Sequence, residues 1–240
     1  MPDAVLILPT LNEAENLPRL VARIRELDVP VSILVVDDES PDGTGALADE
    51  LARSDPGLAV LHRQGRRGYG AALTAGIHAA LARGADVLLT MDVDFSHDPA
   101  DLPRLLAALE DVEVAIGSRY VDGGRIVNWP PHRHALSAAA NAFVRMLFDL
   151  PARDCTSGFR GYRRAALQDV PWERLHSTGY SFLVELLYWA LQPGGGEPRR
   201  LRELPICFVD RSRGKSKMGP QQMVSGAANL LRLRSRLRRP

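Results

Sequence analysis

Only two cysteines, Cys155 and Cys207, occur in 240 residues. No disulfide framework can hold such a chain together, and the usage fits a reducing cytoplasm. Aromatic residues make up 6% of the sequence. No apolar run approaches the roughly 20 residues that a membrane-crossing helix needs. The nearest, residues 135–150, is too short and carries Arg145. The first apolar run begins almost at once, so no signal peptide is expected. Charge of one sign is also lacking overall: the net value is +1, and no nucleic-acid partner is expected. Internal repeats and low-complexity linkers are absent too, which points to a single domain large enough for a proper core.

What the sequence does have is rhythm. Apolar runs at residues 5–8, 33–36, 58–61, 87–91 and 112–116 read as buried strands. Helical patterns at 15–26, 43–53, 71–83 and 101–109 lie between them. This alternation predicts an α/β fold with a mostly parallel sheet flanked by helices. Past Tyr120 the rhythm breaks at Gly123, Gly124, Pro130 and Pro131. A small-residue helix over 136–148, a polar turn at 156–158, a helix over 181–191, a loop at 193–198, a strand over 201–209 and a last helix over 221–238 follow.

Strand ends carry the chemistry. The fourth apolar run finishes in Asp92 and Asp94, two carboxylates one residue apart. Open α/β sheets keep their ligands at the carboxyl ends of their strands. Such a pair can share Mg²⁺ or Mn²⁺ when a substrate diphosphate supplies the remaining oxygens, the arrangement a nucleotide-sugar transferase needs. Taken alone, an acidic turn after a strand explains the pair equally well. However, the first strand runs into Pro9, Thr10, Leu11, Asn12 and Glu13, and the second into Asp37 and Asp38. Three acidic loops would then lie side by side along one sheet edge, where Glu13 and Asp37 can accept hydrogen bonds from a base or ribose. Asp42 followed by Gly43 reads first as a turn and helix cap.

The strings VLILPTLNEAENL, ILVVDDESPDGT, RQGRRGYGAALTAG, LLTMDVDFSHDP, IGSRYVDGG, CTSGFRGYRR and FVDRSRGKSKM fall in an order that resembles the polyprenol-phosphate mannosyltransferases, the dolichol-phosphate mannose synthases of glycosyltransferase family 2. The likeness covers roughly residues 4 to 219. It implies a GT-A fold, a GDP-mannose donor, a Mg²⁺ or Mn²⁺ ion and a polyprenyl monophosphate acceptor. By motif position it puts Pro9, Thr10, Glu13 and Asp37 at the nucleoside, with Val36 lining the base. Asp92 and Asp94 fall on the metal motif, and Ser96 stands where the family often has Gln, as a weaker ligand acting through water. Arg119, Arg133 and Ser137 resemble the residues around the acceptor phosphate. Arg211 and Lys217 resemble those around the donor diphosphate, so that Asp94, Arg119, Arg211 and Lys217 form the expected catalytic set. Arginine suits bidentate phosphate contacts and lysine a point charge. The resemblance divides 1–240 into a nucleotide and metal half (1–120), an acceptor half (121–218) and a C-terminal basic helix (219–240).

That last segment interleaves leucines with Arg232, Arg234, Arg236, Arg238 and Arg239. It reads either as an interfacial anchor for anionic lipid or as a solvated basic helix end. The expectation is a peripheral protein at the cytoplasmic membrane face, with an integral-membrane partner possible. Other readings fit less well. Gly65, Gly68 and Gly70 miss the G-x-G-x-x-G spacing of a dinucleotide fold. A phosphatase built on the DxD aspartate leaves the first two acidic loops unexplained. His132, His134 and Cys155 lack the second pair a zinc site requires. A donor such as UDP-glucose, or a non-catalytic nucleotide-sugar-binding module, remains the alternative.

Overall fold

The computed structural model describes residues 3–65, 67–175, 177–193, 197–210 and 229–236. Within them the first half alternates as expected: β1 (Ala4–Thr10), α1 (Leu17–Arg25), β2 (Ser32–Asp37), α2 (Thr44–Ser54), β3 (Leu58–His62), α3 (Tyr69–Ala82), β4 (Val87–Thr90), α4 (Leu102–Ala108) and β5 (Val114–Ser118). The second half adds β6 (Arg125–Val127), α5 (Pro131–Phe148), β7 (Arg160–Arg163), α6 (Arg164–Leu167), α7 (Tyr180–Leu191), β8 (Leu201–Pro205) and β9 (Cys207–Val209).

Seven strands form one sheet in the order β3-β2-β1-β4-β7-β5-β8, and β6 pairs with β9 in a small second sheet. β1, β2, β3 and β4 are mutually parallel, as are β5 and β8. Only β7 runs antiparallel, inserted between β4 and β5. All the parallel strands therefore end at one edge, and β7 begins there. Chain order reverses where β4 joins the far side of β1, a switch point of the kind that opens a crevice in doubly wound sheets.

Each central strand buries both faces, which is why the apolar runs are continuous. Successive side chains alternate: Leu6 and Leu8 pack with α1 and α4 residues such as Leu20, Ile24 and Leu105. Val5 and Ile7 pack instead with α3 and α7 residues such as Leu73, Ile77, Leu183 and Leu187. The expected strand over 201–209 is divided at Ile206, whose backbone N–H donates to Ser118 O (3.0 Å), so β8 extends the main sheet and β9 the small one. α5 begins five residues before its expected start because Pro131 stands in its first turn, where a missing N–H costs nothing. Among the described residues, no helix is long and apolar enough to cross a membrane.

Candidate active site at the carboxyl edge of the sheet

The loops after β1 and β2 are stitched into one unit. Thr10 Oγ1 donates to Asp37 Oδ1 (3.1 Å), Asn12 N to Ser40 Oγ (3.1 Å), Glu13 N to Thr44 Oγ1 (2.9 Å) and Ala14 N to Asp42 Oδ2 (3.1 Å). Asp42 also accepts from the Thr44 N–H and hydroxyl and turns the chain into α2, although Gly43, not Asp42, stands at the cap position. Burial pushes the Asp42 carboxyl up, but the hydrogen bonds from Thr44 and Ala14 outweigh it and leave it below the usual carboxylate range. Asp37 is buried, and its oxygens receive the Ser40 hydroxyl (2.6 Å) and the Ser40 N–H (3.1 Å). Pro9 is half-buried beside it, and Glu13 accepts from Asn16 Nδ2 (2.8 Å). The Val36 side chain is fully buried, and a Cβ on Gly76 of α3 would lie 2.9 Å from it. Its carbonyl, not its side chain, faces the loop, accepting from Thr10 Oγ1 (3.3 Å).

Asp38 ties this unit to the next loop. It is buried, pairs with Arg63, and accepts from Gly68 N (2.7 Å) at the start of α3. That places the first turn of α3 over the end of β4, where Asp92 and Asp94 emerge. A Cβ added to Gly158 would lie 2.7 Å from the Tyr69 hydroxyl and 3.2 and 3.3 Å from the two Asp92 carboxylate oxygens. Only a glycine lets the backbone come this close. Thr90 Oγ1 fixes that approach by donating to Gly158 O (2.7 Å).

Asp94 is largely buried, and its Oδ1 accepts from Ser96 N (3.0 Å) in a tight loop turned by Phe95 at φ 59°. The Ser96 hydroxyl is buried and meets no hydrogen-bonding partner among the described residues. Two carboxylates and an unsatisfied hydroxyl on one turn form a hard-oxygen donor set that suits Mg²⁺ or Mn²⁺. No cluster of three or more His, Cys, Asp or Glu side chains completes a cage among the described residues. A cation held here would take its remaining oxygens from water or a ligand.

Further along the edge the residues turn cationic. Arg119, just beyond β5, is buried and makes a two-pronged pair with Asp154, Nε to Oδ2 and Nη2 to Oδ1, each 2.7 Å. Nη2 also donates to Thr156 Oγ1 (2.9 Å). Burial alone would raise the Asp154 carboxyl; the hydrogen bonds and charge of Arg119 hold it below its ordinary range instead. Arg119 lies over three aromatic rings, Phe208 (5.2 Å), Tyr120 (5.4 Å) and Trp129 (5.9 Å). Arg133, in the first turn of α5, sits 4.1 Å from the same Trp129 ring and donates to Asp210 Oδ2 (2.9 Å). The structure thus gathers Arg119 and Arg133 on one indole, and Ser137 follows one turn along α5. Arg211 and Lys217 lie outside the described residues.

Asp154 and Asn141 carried no signal in the sequence. Asn141 Oδ1 accepts from Cys155 N (2.8 Å), while its Nδ2 donates to Ser137 O (3.0 Å) and Thr156 Oγ1 (3.3 Å). This ties α5 to the turn before β7. Arg160 is fully buried and donates to the carbonyls of Ser157 (2.6 Å), Leu183 (2.7 Å) and Cys155 (2.5 Å). Cys155 is a buried thiol, and burial pushes its pKa up to about 12. Cys207 is half-buried in β9.

Comparison with known proteins agrees with this architecture. The polyprenol monophosphomannose synthase of Mycolicibacterium smegmatis is 47% identical over 216 residues, 89% of this chain and 80% of that protein. The undecaprenyl-phosphate mannosyltransferase of Micrococcus luteus is 42% identical over 226 residues, 94% of this chain and 91% of that protein. In fold the chain is similar to glucosyl-3-phosphoglycerate synthase from Mycobacterium tuberculosis in complex with Mn²⁺, UDP and phosphoglyceric acid. That match has a TM-score of 0.69 and 19% identity, covering 100% of this chain and 80% of the other. It is also similar to a mannosyltransferase from Pyrobaculum calidifontis in complex with GDP-Man and Mn²⁺, with a TM-score of 0.60 and 19% identity over 96% of this chain and 64% of the other. The family described as glycosyl transferase family 2 matches residues 5–170. With acidic and cationic loops along one edge of a GT-A-like sheet, the chain belongs to glycosyltransferase family 2 and is a glycosyltransferase.

Proposed function

We propose that this enzyme transfers mannose from GDP-mannose to a polyprenyl monophosphate with inversion, releasing GDP and the polyprenyl β-mannosyl phosphate. The observation that carries this reading is the order of groups along one sheet edge: nucleoside-type loops, then the Asp92/Asp94 turn, then Arg119 and Arg133. The names of the two relatives support the sugar and the acceptor class. The Pyrobaculum complex supports GDP-mannose and Mn²⁺ as ligands compatible with such a fold.

In this reading Pro9, Thr10, Glu13 and Asp37 hold the nucleoside, with Val36 lining the base. Asp92, Asp94 and Ser96 hold Mg²⁺ or Mn²⁺, which neutralises charge on the departing diphosphate. Arg211 and Lys217 serve the sugar diphosphate. Arg119, Arg133 and Ser137 receive the acceptor phosphate. A phosphate monoester has its second pKa near 6, so at neutral pH its oxygen is already a nucleophile. No side chain needs to remove a proton. The protein's contribution is orientation and charge compensation, and attack from the face opposite GDP inverts the anomeric centre.

The acceptor phosphate lies at headgroup level, so the site must meet a bilayer at its cytoplasmic face. α5, which carries Arg133 and Ser137, exposes Leu136 (45%) and Met146 (79%) among exposed alanines. Residues 229–236 form a helix whose Arg232 and Arg236 are exposed, although Leu233 packs into the core. These two surfaces, with or without an integral-membrane partner, supply the peripheral contact. A donor screen with a short-chain polyprenyl phosphate tests the whole reading: mannose from GDP-mannose should enter the lipid phase only with Mg²⁺ or Mn²⁺. Glucose entering from UDP-glucose instead would overturn the donor assignment, and no sugar entering from any donor would overturn the acceptor.

A further inference from the structure

Two buried hydrogen-bond donors lie beside the paired arginines: the Trp129 indole Nε1–H, which meets no partner among the described residues, and the Tyr120 hydroxyl, whose hydrogen-bonding neighbours are side chains of α5. They are not scattered. Tyr120 and Trp129 both stack on the Arg119 guanidinium, and the Trp129 ring carries Arg133 as well. Tyr120 adjoins the Ser137 and Asn141 side chains of α5. Buried polar groups are nearly always satisfied, so an unsatisfied indole donor beside two arginines is informative. An indole N–H can only donate. Burial raises the Tyr120 phenol above its usual range, with the Ser137 side chain and the Arg119 charge opposing that rise, so at neutral pH it is a donor too. The complement of two fixed donors between two cations is an anion with several acceptor oxygens.

We propose that Tyr120 Oη and Trp129 Nε1 donate to the non-reacting oxygens of the acceptor phosphate, between Arg119 and Arg133. This rests on the reading of that region as the acceptor site. The chemistry favours neutral donors here. Asp154 already compensates Arg119 and Asp210 compensates Arg133. Each extra positive charge would tighten binding but draw electron density from the attacking oxygen. Neutral donors fix the direction of two oxygens and leave the third nucleophilic. Both donors are shielded from water, so the phosphate must displace a covering contact. The Arg133–Asp210 pair, with side chains 28% and 30% exposed, is the one an incoming anion can exchange.

Tyr120→Phe removes only the hydroxyl. It should raise KM for a short-chain polyprenyl phosphate about tenfold, the equivalent of one lost hydrogen bond to a charged group. GDP affinity should not change. Tm should change little, because Asn141 keeps its bonds to Ser137, Thr156 and Cys155, whereas loss of a structural tyrosine would lower it. In a spectrum of indole N–H resonances, the signal absent from Trp129→Phe should move downfield when polyprenyl phosphate is added to the wild-type protein. An unchanged KM in Tyr120→Phe together with an unmoved indole signal overturns the inference. If Arg133→Ala still raises the acceptor KM in that case, the acceptor-site reading stands and only the two donors are wrong. If Arg133→Ala also leaves it unchanged, the acceptor-site reading itself fails.

Discussion

On the proposed reading, turnover depends most directly on Asp92 and Asp94, and separate substitutions test each. Replacing either by Asn should lower kcat by about 10²–10³ with Mg²⁺ or Mn²⁺ present, the usual scale for losing one essential electrostatic contact. Full kcat in a folded variant, verified by circular dichroism, would remove the metal from the mechanism. Gly158→Ala is the subtler test. Its methyl group would press on the Tyr69 hydroxyl and the Asp92 carboxylate, so Mn²⁺ affinity should fall while the Tm changes little. Asp154→Ala should act on stability instead. Removing one partner of a buried, two-pronged ion pair leaves Arg119 uncompensated, at a cost of about 3–5 kcal/mol in urea unfolding. The pH dependence has a definite sign. The Asp154 pKa is held below its unfolded value, so its contribution is fully present above the ordinary Asp range near ~3.9 and fades as pH falls below it. Urea midpoints measured from pH 3 to 7 should therefore fall less steeply toward acid in Asp154→Asn than in the wild type. The aspartates of β4 were legible because each caps a continuous apolar run. Asp154 was not, since its partner lies 35 residues away and neither neighbourhood announces the other.

The elements visible in advance are those whose side chains are uniform over a full period. β1, β2 and β4 are apolar on both faces, and α1 shows a buried stripe of Leu17, Leu20, Val21 and Ile24. β7 escaped notice because its four residues read Arg, Gly, Tyr and Arg. Its place in the centre of the sheet is secured by Gly161, against which Leu109 and Leu89 close, and by the buried bonds of Arg160. β6 has three residues and is defined only by pairing with β9. α5 was legible as a helix but not in its orientation. Its mixed composition gave no hint that Asn141, Val144 and Phe148 face inward while Leu136 and Met146 face out. If that outer face meets lipid, Leu136→Glu with Met146→Glu should reduce co-sedimentation with anionic vesicles without lowering Tm. Vesicle binding equal to wild type would move the contact to another surface.

For the molecule as a whole, two polarities run along the same edge, acidic over β1, β2 and β4 and cationic beyond β5. The C-terminal arginines add a third region, but the interleaved leucines are not all available to lipid, because Leu233 is buried with Leu230 packed beside it. Deleting that segment would confound anchoring with folding, so charge reversal is the cleaner experiment. Arg232→Glu with Arg236→Glu should weaken binding to anionic vesicles, and the residual binding should vary less with salt. A salt dependence identical to wild type would exclude these arginines from the contact.

The antiparallel strand at the centre of the sheet has a consequence for how the chain reaches its native state. β4 and β5 are not neighbours; the gap between them is filled by β7, which is synthesised about 70 residues after β4. During synthesis β4 and β5 emerge with the edges that face one another open, and neither can pair there until residues 160–163 arrive. Open strand edges are where misassociation begins. Residues 1–120 are therefore not an independent folding unit: a chain cut at residue 120 should aggregate rather than bind GDP, and refolding of the full chain should be limited by closure around this late strand.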